Sequence, residues 1–227
     1  MNKTLDRLVL DFHGIGEQPH AVDADEDRYW CHDVVAFEGL LDAIPEVTAA
    51  TGLAIELTFD DGNASDARIA APALGRRGLS AGFYICAGRI DAPGYLGKAE
   101  LADMAAAGFT IGSHGWSHTD WRKTDGATLE HEVHGARRKI EDVLGRAVDG
   151  VAIPFGSYDR RVMAQLATFK TVYTSDDGMA RAARRIVPRW SYRRDWHADS
   201  LMQLAEVHES KLTRAIRALK IAIKQRR

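Results

Sequence analysis

Short apolar runs alternate along this chain with longer stretches whose apolar residues recur at helical spacing. Leu8-Val9-Leu10, Ala54 to Phe59, Ala81 to Cys86, Thr110-Ile111-Gly112, Val151-Ala152-Ile153 and Thr171-Val172-Tyr173 read as buried strands. Between them Phe37 to Ile44, Asp66 to Gly75, Lys98 to Ala107 and Leu129 to Leu144 carry helical patterns. Such alternation predicts an α/β protein with parallel strands and crossover helices, either a barrel or an open sheet. Several strand ends carry polar or ionisable groups: His13, the pair Asp60 and Asp61, His114, and Pro154-Phe155-Gly156. The carboxyl ends of parallel strands are where such folds hold ligands.

With 227 residues, 45% of them hydrophobic, the chain can bury one substantial core. A formal net charge of −2 gives no general argument for nucleic-acid binding. Cys31 and Cys86 lie far apart in apolar surroundings and are expected as buried thiols. Met1 to Arg7 lacks the apolar stretch of a secretory signal, and no run of about 18 apolar residues occurs, so a cytoplasmic location is expected. The division expected is a catalytic barrel over 1–200 and a C-terminal extension over 201–227. In that extension Leu212, Ile216, Leu219 and Ile223 repeat at helical spacing among basic residues from Lys211 to Arg227. This basic amphipathic helix suits peripheral contact with an anionic membrane as well as simple packing on the barrel.

Two adjacent carboxylates at a strand end are costly unless a cation or a shared proton offsets their charge. Asp60 and Asp61 are followed at once by Gly62, which marks a turn. His114 and His118 are four residues apart and, on a helical turn capped by Ser113, would face one cation together. Two histidines and one carboxylate make a facial set with open positions. Neighbouring side chains on a turn do not both reach one metal without strain, so one aspartate is expected to ligate and the other to remain free. A free carboxylate beside an activated water is a natural general base, which suits hydrolysis of an acyl group. An amide leaving group also needs an acid. His13, followed by Gly14, sits at a strand end suited to that task, whereas His20, His32, His131, His134, His197 and His208 have surface-like contexts. Trp30, Trp116, Trp121, Trp190 and Trp196 could stack on a sugar, but tryptophan serves the core as readily.

Thr58-Phe59-Asp60-Asp61-Gly62, Ser113-His114-Gly115-Trp116-Ser117-His118 and Ile153-Pro154-Phe155-Gly156 resemble three motifs of the polysaccharide deacetylases, the NodB-homology family or carbohydrate esterase family 4. The resemblance runs from about residue 8 to residue 190 and implies a distorted (β/α)7 barrel. It also implies Asp60 as catalytic base, Asp61, His114 and His118 as ligands of a divalent metal, expected to be Zn2+, and Phe155, beside Pro154, as an oxyanion contact. Two departures stand out. Ala152 occupies the position where the family carries an arginine near its base, with Arg189, beside Trp190, as candidate substitute. No Leu-x-His strand follows Trp190, yet Asp11-Phe12-His13-Gly14-Ile15 resembles the segment that opens the permuted branch, which includes deacetylases of poly-N-acetylglucosamine. By that resemblance His13 is the catalytic acid.

The function implied is metal-dependent removal of an N-acetyl group from an N-acetylhexosamine-containing glycan or precursor. Alternatives are a deformylase or O-acetyl esterase acting on a lipid-linked or nucleotide-linked sugar, and a non-catalytic carbohydrate-binding barrel. A carbohydrate partner is expected, and no nucleic acid.

Overall fold

The computed structural model describes residues 6–19, 21, 24–181, 184–206, 219 and 221–224. Among these described residues eight parallel strands form one sheet: β1 (Arg7–Phe12), β2 (Ala54–Asp61), β3 (Ala81–Ile85), β4 (Thr110–Ser113), β5 (Gly150–Ala152), β6 (Thr171–Thr174), β7 (Ile186–Pro188) and β8 (Trp190–Ser191), in the spatial order β7-β6-β5-β4-β3-β2-β1-β8. The helices are α1 (Ala24–Asp27), α2 (Val34–Thr51), α3 (Ala71–Arg76), α4 (Lys98–Ala106), α5 (Gly126–Glu130), α6 (Ala136–Leu144), α7 (Arg160–Gln165) and α8 (Ala198–Glu206). Each of the six apolar runs read as a strand is one.

The two edge strands reveal how the sheet closes. β7 pairs with β6 and β8 pairs with β1, yet only Arg189 separates β7 from β8 along the chain. They are two ends of one stave, interrupted where it changes neighbour, so the eight segments make a nearly closed barrel of seven staves. This is the (β/α)7 arrangement the motifs imply. The closing stave, Ile186-Val187-Pro188-Arg189-Trp190-Ser191, escapes a pattern search because it is short and contains Pro and Arg.

Side-chain alternation sorts each strand between the barrel interior and the helical shell. On β1, Leu8, Leu10 and Phe12 join Leu57, Phe59 and Phe83 in the large core beneath the helices. Phe12, Phe59 and Phe83 stack in a row, with ring centroids 5.4 and 4.8 Å apart. Val9, Tyr84, Ala152, Tyr173 and Val187 fill the interior. The same period of two turns Asp11 and Asp60 inward, which is how this fold aims carboxylates into its lumen.

Local chemistry explains the ends of α2. The Asp33 carboxylate accepts from the N–H groups of Val35 and Ala36 at 2.9 and 3.1 Å, and Gly52 terminates the helix at φ +70°. Two expected helices are irregular. The stretch from Asp66 begins as a wide π-type turn (Asp66–Ala70) before α3, and a second such turn (His131–Gly135) lies between α5 and α6. Cys31 and Cys86 are buried free thiols. Most of the basic segment 211–227 lies outside the described residues, of which it includes Leu219 and the helical residues 221–224. Among the described residues no helix is long and apolar enough to cross a membrane.

Candidate active site

At the carboxyl end of β2 the chain presents Asp60 and Asp61 to different partners. Asp60 is buried and faces the lumen, where Arg189 grips it with two parallel bonds: one terminal nitrogen donates to Oδ1 at 2.8 Å and the other to Oδ2 at 2.6 Å. The first of these nitrogens also donates to Asp11 Oδ1 at 2.9 Å and to Thr58 Oγ1 at 3.1 Å. Arg189 is itself fully buried, with its guanidinium 5.5 Å from the Tyr173 ring centroid and 6.0 Å from that of Tyr84. Ala152 lies on β5 beside those rings and carries no cation. The positive charge facing Asp60 comes instead from Arg189, at the break in the closing stave.

Asp61 takes the other direction because its backbone turns at φ +78°, immediately before Gly62 at φ +75°. Its carboxylate lies 3.6 Å from His118 Nε2, 3.9 Å from His114 Nε2 and 3.1 Å from Arg89. The two imidazoles meet, with centroids 5.1 Å apart, but not by helical periodicity. Residues 114–118 form a loop after β4 in which Gly115 has φ +84° and His118 φ +58°. Ser113 therefore does not cap a helix; its Oγ accepts from the N–H of Gly115 at 3.3 Å within the turn. His114 Nδ1 is 2.9 Å from the Ala152 carbonyl, which directs Nε2 toward the carboxylates.

His13 lies beyond the end of β1 and stacks on Tyr29, with centroids 5.4 Å apart. One candidate ligand atom from each of Asp61, His114 and His118 lies within 4.8 Å of the others, and the same holds for Asp11, His13 and Asp60. The second group already contains the Arg189 guanidinium between its carboxylates, so its charge is met from within. The first group suits a divalent cation by its donor set.

The electrostatics separate the groups further. Burial would raise the Asp60 carboxyl, but Arg189 and His114 outweigh it and hold the group below the ordinary carboxylate range. Asp61 is likewise lowered, against burial, by His118, His13 and His114. Asp11 is pushed up to about 7 by burial, reinforced by Asp60, despite the opposing pull of Arg189. Burial lowers His114 to about 4 and so leaves it neutral, as a ligand must be. Burial also works to lower His13, but Asp11, Asp61 and Asp60 prevail and raise it, favouring the protonated ring.

His13, Asp60, His114 and His118 line one cavity of about 330 Å³, together with Glu26, Arg28, Tyr29, Ile153, Phe155, Ser175 and Ser191. Phe155 is strained at φ +58° and 59% exposed, its ring 4.4 Å from that of His118. Pro154 is buried behind it, and Trp190 packs against the apolar core rather than lining the cavity. Trp121 and Trp30 are also core residues, and His131 and His134 pack against Trp116 and Gln165.

Asp11 is the residue that sequence reasoning passed over. A signal exists: it lies two positions before His13, hence on the same side of the strand. Glu26 and Tyr29 carry no comparable signal, because α1 and the turn after it reach the cavity only through the fold.

A nearly closed parallel barrel with an aspartate pair, two histidines and an internal arginine at its carboxyl end defines a class of hydrolase-like barrels. The chain belongs to the polysaccharide deacetylase family, whose model matches residues 49–186. That match contains Asp60, Asp61, His114, His118 and Phe155, whereas Asp11, His13 and Arg189 fall outside it. YxkH of Bacillus subtilis strain 168 is 21% identical over 126 residues, which cover 55% of this chain and 45% of that protein; the chain thus spans less than half the length of this curated relative. The Streptococcus pyogenes deacetylase PplD, solved in complex with acetate, superimposes with a TM-score of 0.75 at 19% identity, over 89% of this chain and 99% of PplD. IcaB from Ammonifex degensii gives 0.70 at 19% identity, over 89% and 97%. These structures share the fold.

Proposed function

We propose that this chain is a hydrolase that removes an acetyl group from the amino-sugar nitrogen of a glycan, using a divalent metal, with zinc the first candidate. The observation that carries this reading is the division of the aspartate pair: Asp60 against Arg189, Asp61 against two histidines. Asp61, His114 and His118 would hold the metal. When bound, such an ion lowers the pKa of water and polarises an acyl oxygen.

Asp60, ionised and fixed by the two-pronged Arg189 contact, accepts the proton of the attacking water as general base. His13, kept protonated by its acidic neighbours, delivers a proton to the departing amine. The Phe155 N–H, aimed by the strained turn, is assigned to the acyl oxygen as negative charge develops there. Arg28, Tyr29 and Phe155 border the cavity mouth, where a sugar ring would lie.

The decisive experiment couples metal analysis to a screen for acetate and formate release over N-acetylated sugars, oligosaccharides and lipid-linked or nucleotide-linked sugars. Acetate release that depends on metal supports the assignment. Formate release, or acetate from O-acetylated substrates alone, would move the chain to a deformylase or an esterase. A purified chain that takes up no divalent ion on reconstitution would favour a carbohydrate-binding barrel. A cytoplasmic precursor as substrate, and contact of the basic 211–227 segment with an anionic inner membrane surface, belong to the same proposal. Vesicle co-sedimentation unaffected by deleting that segment would remove the membrane part.

A further inference from the structure

Glu132 lies in the wide turn between α5 and α6 and is 2% exposed. Among the described residues no lysine or arginine pairs with it. Among the described residues its three donors all belong to the loop that bears His118. Oε2 accepts from the backbone N–H of Trp116 at 3.0 Å and of Ser117 at 3.2 Å, and Oε1 accepts from the Ser117 hydroxyl. A buried carboxylate is tolerated only where such donors satisfy it.

The other side of the loop is held as firmly. The N–H groups of Ala87 and Gly88 donate to the carbonyls of Gly115 and Trp116, both at 2.8 Å. A Cβ on Gly88 would stand 2.7 Å from the Trp116 oxygen, and one on Gly115 would stand 3.0 Å from Glu132 Oε2. The loop is therefore clamped between the Ala87-Gly88 backbone and one carboxylate. It also holds the positive φ of His118, a conformation costing on the order of 1–3 kcal/mol unless its surroundings enforce it. His114 needs no such support, since it continues from β4 with its N–H on the Ile85 carbonyl at 2.8 Å.

We infer that Glu132 is a positioning residue that fixes His118 for metal ligation by accepting the Trp116 and Ser117 N–H groups, a role that rests on the metal reading above. Its work is hydrogen-bond acceptance rather than charge. A glutamine can supply an oxygen to both N–H groups and turn its amide N–H toward the Ser117 oxygen, so Glu132→Gln should conserve the function that Glu132→Ala removes.

Zinc affinity measured by calorimetry on the purified full chain tests this. Glu132→Ala should weaken zinc binding about 10- to 100-fold, as loss of an outer partner of a ligand does, with turnover recovering at excess zinc. Glu132→Gln should stay within about threefold of the parent, and Glu132→Ala should add little to His118→Ala, because both act on one ligand. Unchanged affinity in a folded Glu132→Ala variant overturns the inference, as does a Glu132→Gln variant weakened as much as the alanine one. If Glu132→Ala does not fold, Ser117→Ala decides: several-fold weaker zinc binding supports the role and unchanged affinity overturns it. A parent chain that binds no zinc overturns the metal reading itself, and parent binding with an indifferent Glu132 overturns only the positioning role.

Discussion

On one side of the site Asp60 and Asp11 share the Arg189 guanidinium; on the other, Asp61 faces His114 and His118 across 3.6–3.9 Å. Both sides bury carboxylate, and they balance it differently. The first does so with a fixed cation and, through the raised Asp11, with a retained proton. The second has neutral His114 nitrogen facing an ionised oxygen, a set of donors that a divalent ion would complete. Adjacent residues thus acquire different chemistry from their partners, not from their own identity. An internally neutralised group can move a proton while staying in place, whereas a donor set awaiting a cation can bind one.

The sharpest break in this comparison is Asp60→Asn. Turnover should fall about 10²–10⁴-fold while zinc stoichiometry is preserved, whereas His114→Ala should lose both. Metal analysis alongside rate measurement reads the difference; full activity in Asp60→Asn would refute the role of the base. Arg189→Met comes next, since it strands two buried carboxylates. A stability loss of about 3–5 kcal/mol in denaturant titration is expected, and a nearly neutral result would show that the guanidinium is dispensable.

The pH response is a subtler probe. Asp11 in the unfolded chain releases its proton near 3.8, while in the fold it keeps it to about 7. Between those values the native state binds the extra proton, so the contribution of Asp11 to stability is full below the lower value and declines as pH rises through the higher. Asp11→Asn should flatten that part of the stability profile. Denaturant midpoints at pH 4.5 and pH 7 compare the two slopes, and identical slopes would contradict the assigned shift. The smallest effect is expected from Arg89, whose cation lies 3.1 Å from Asp61 and competes for it. Arg89→Gln should tighten zinc binding by no more than about fivefold, in line with a partly exposed ion pair. Calorimetry would detect a change of the opposite sign.

Much of this arrangement is legible in order along the chain. The apolar runs name six of the strands, and Asp60-Asp61-Gly62 and the His114/His118 spacing mark two ends of the site. The spacing nevertheless suggests the wrong local structure, because a four-residue interval looks helical while Gly115 and His118 adopt positive φ. The closing stave is obscured for a different reason: its strand character depends on pairing with β6 and β1, not on its own composition.

The sequence alone determined which groups are available: two adjacent carboxylates, two histidines at short range, a histidine after the first strand and an alanine where an arginine was expected. Local pattern suffices for these because strand periodicity and turn residues act over a few positions. Only the tertiary structure decided which aspartate meets Arg189 and which meets the histidines, that Asp11 joins the first group, and that Glu132 braces the second. Those assignments link residues as distant as Asp11 and Arg189, which the closure of the barrel brings within 2.9 Å. No local propensity encodes that separation; burial of the opposing charges in one lumen does.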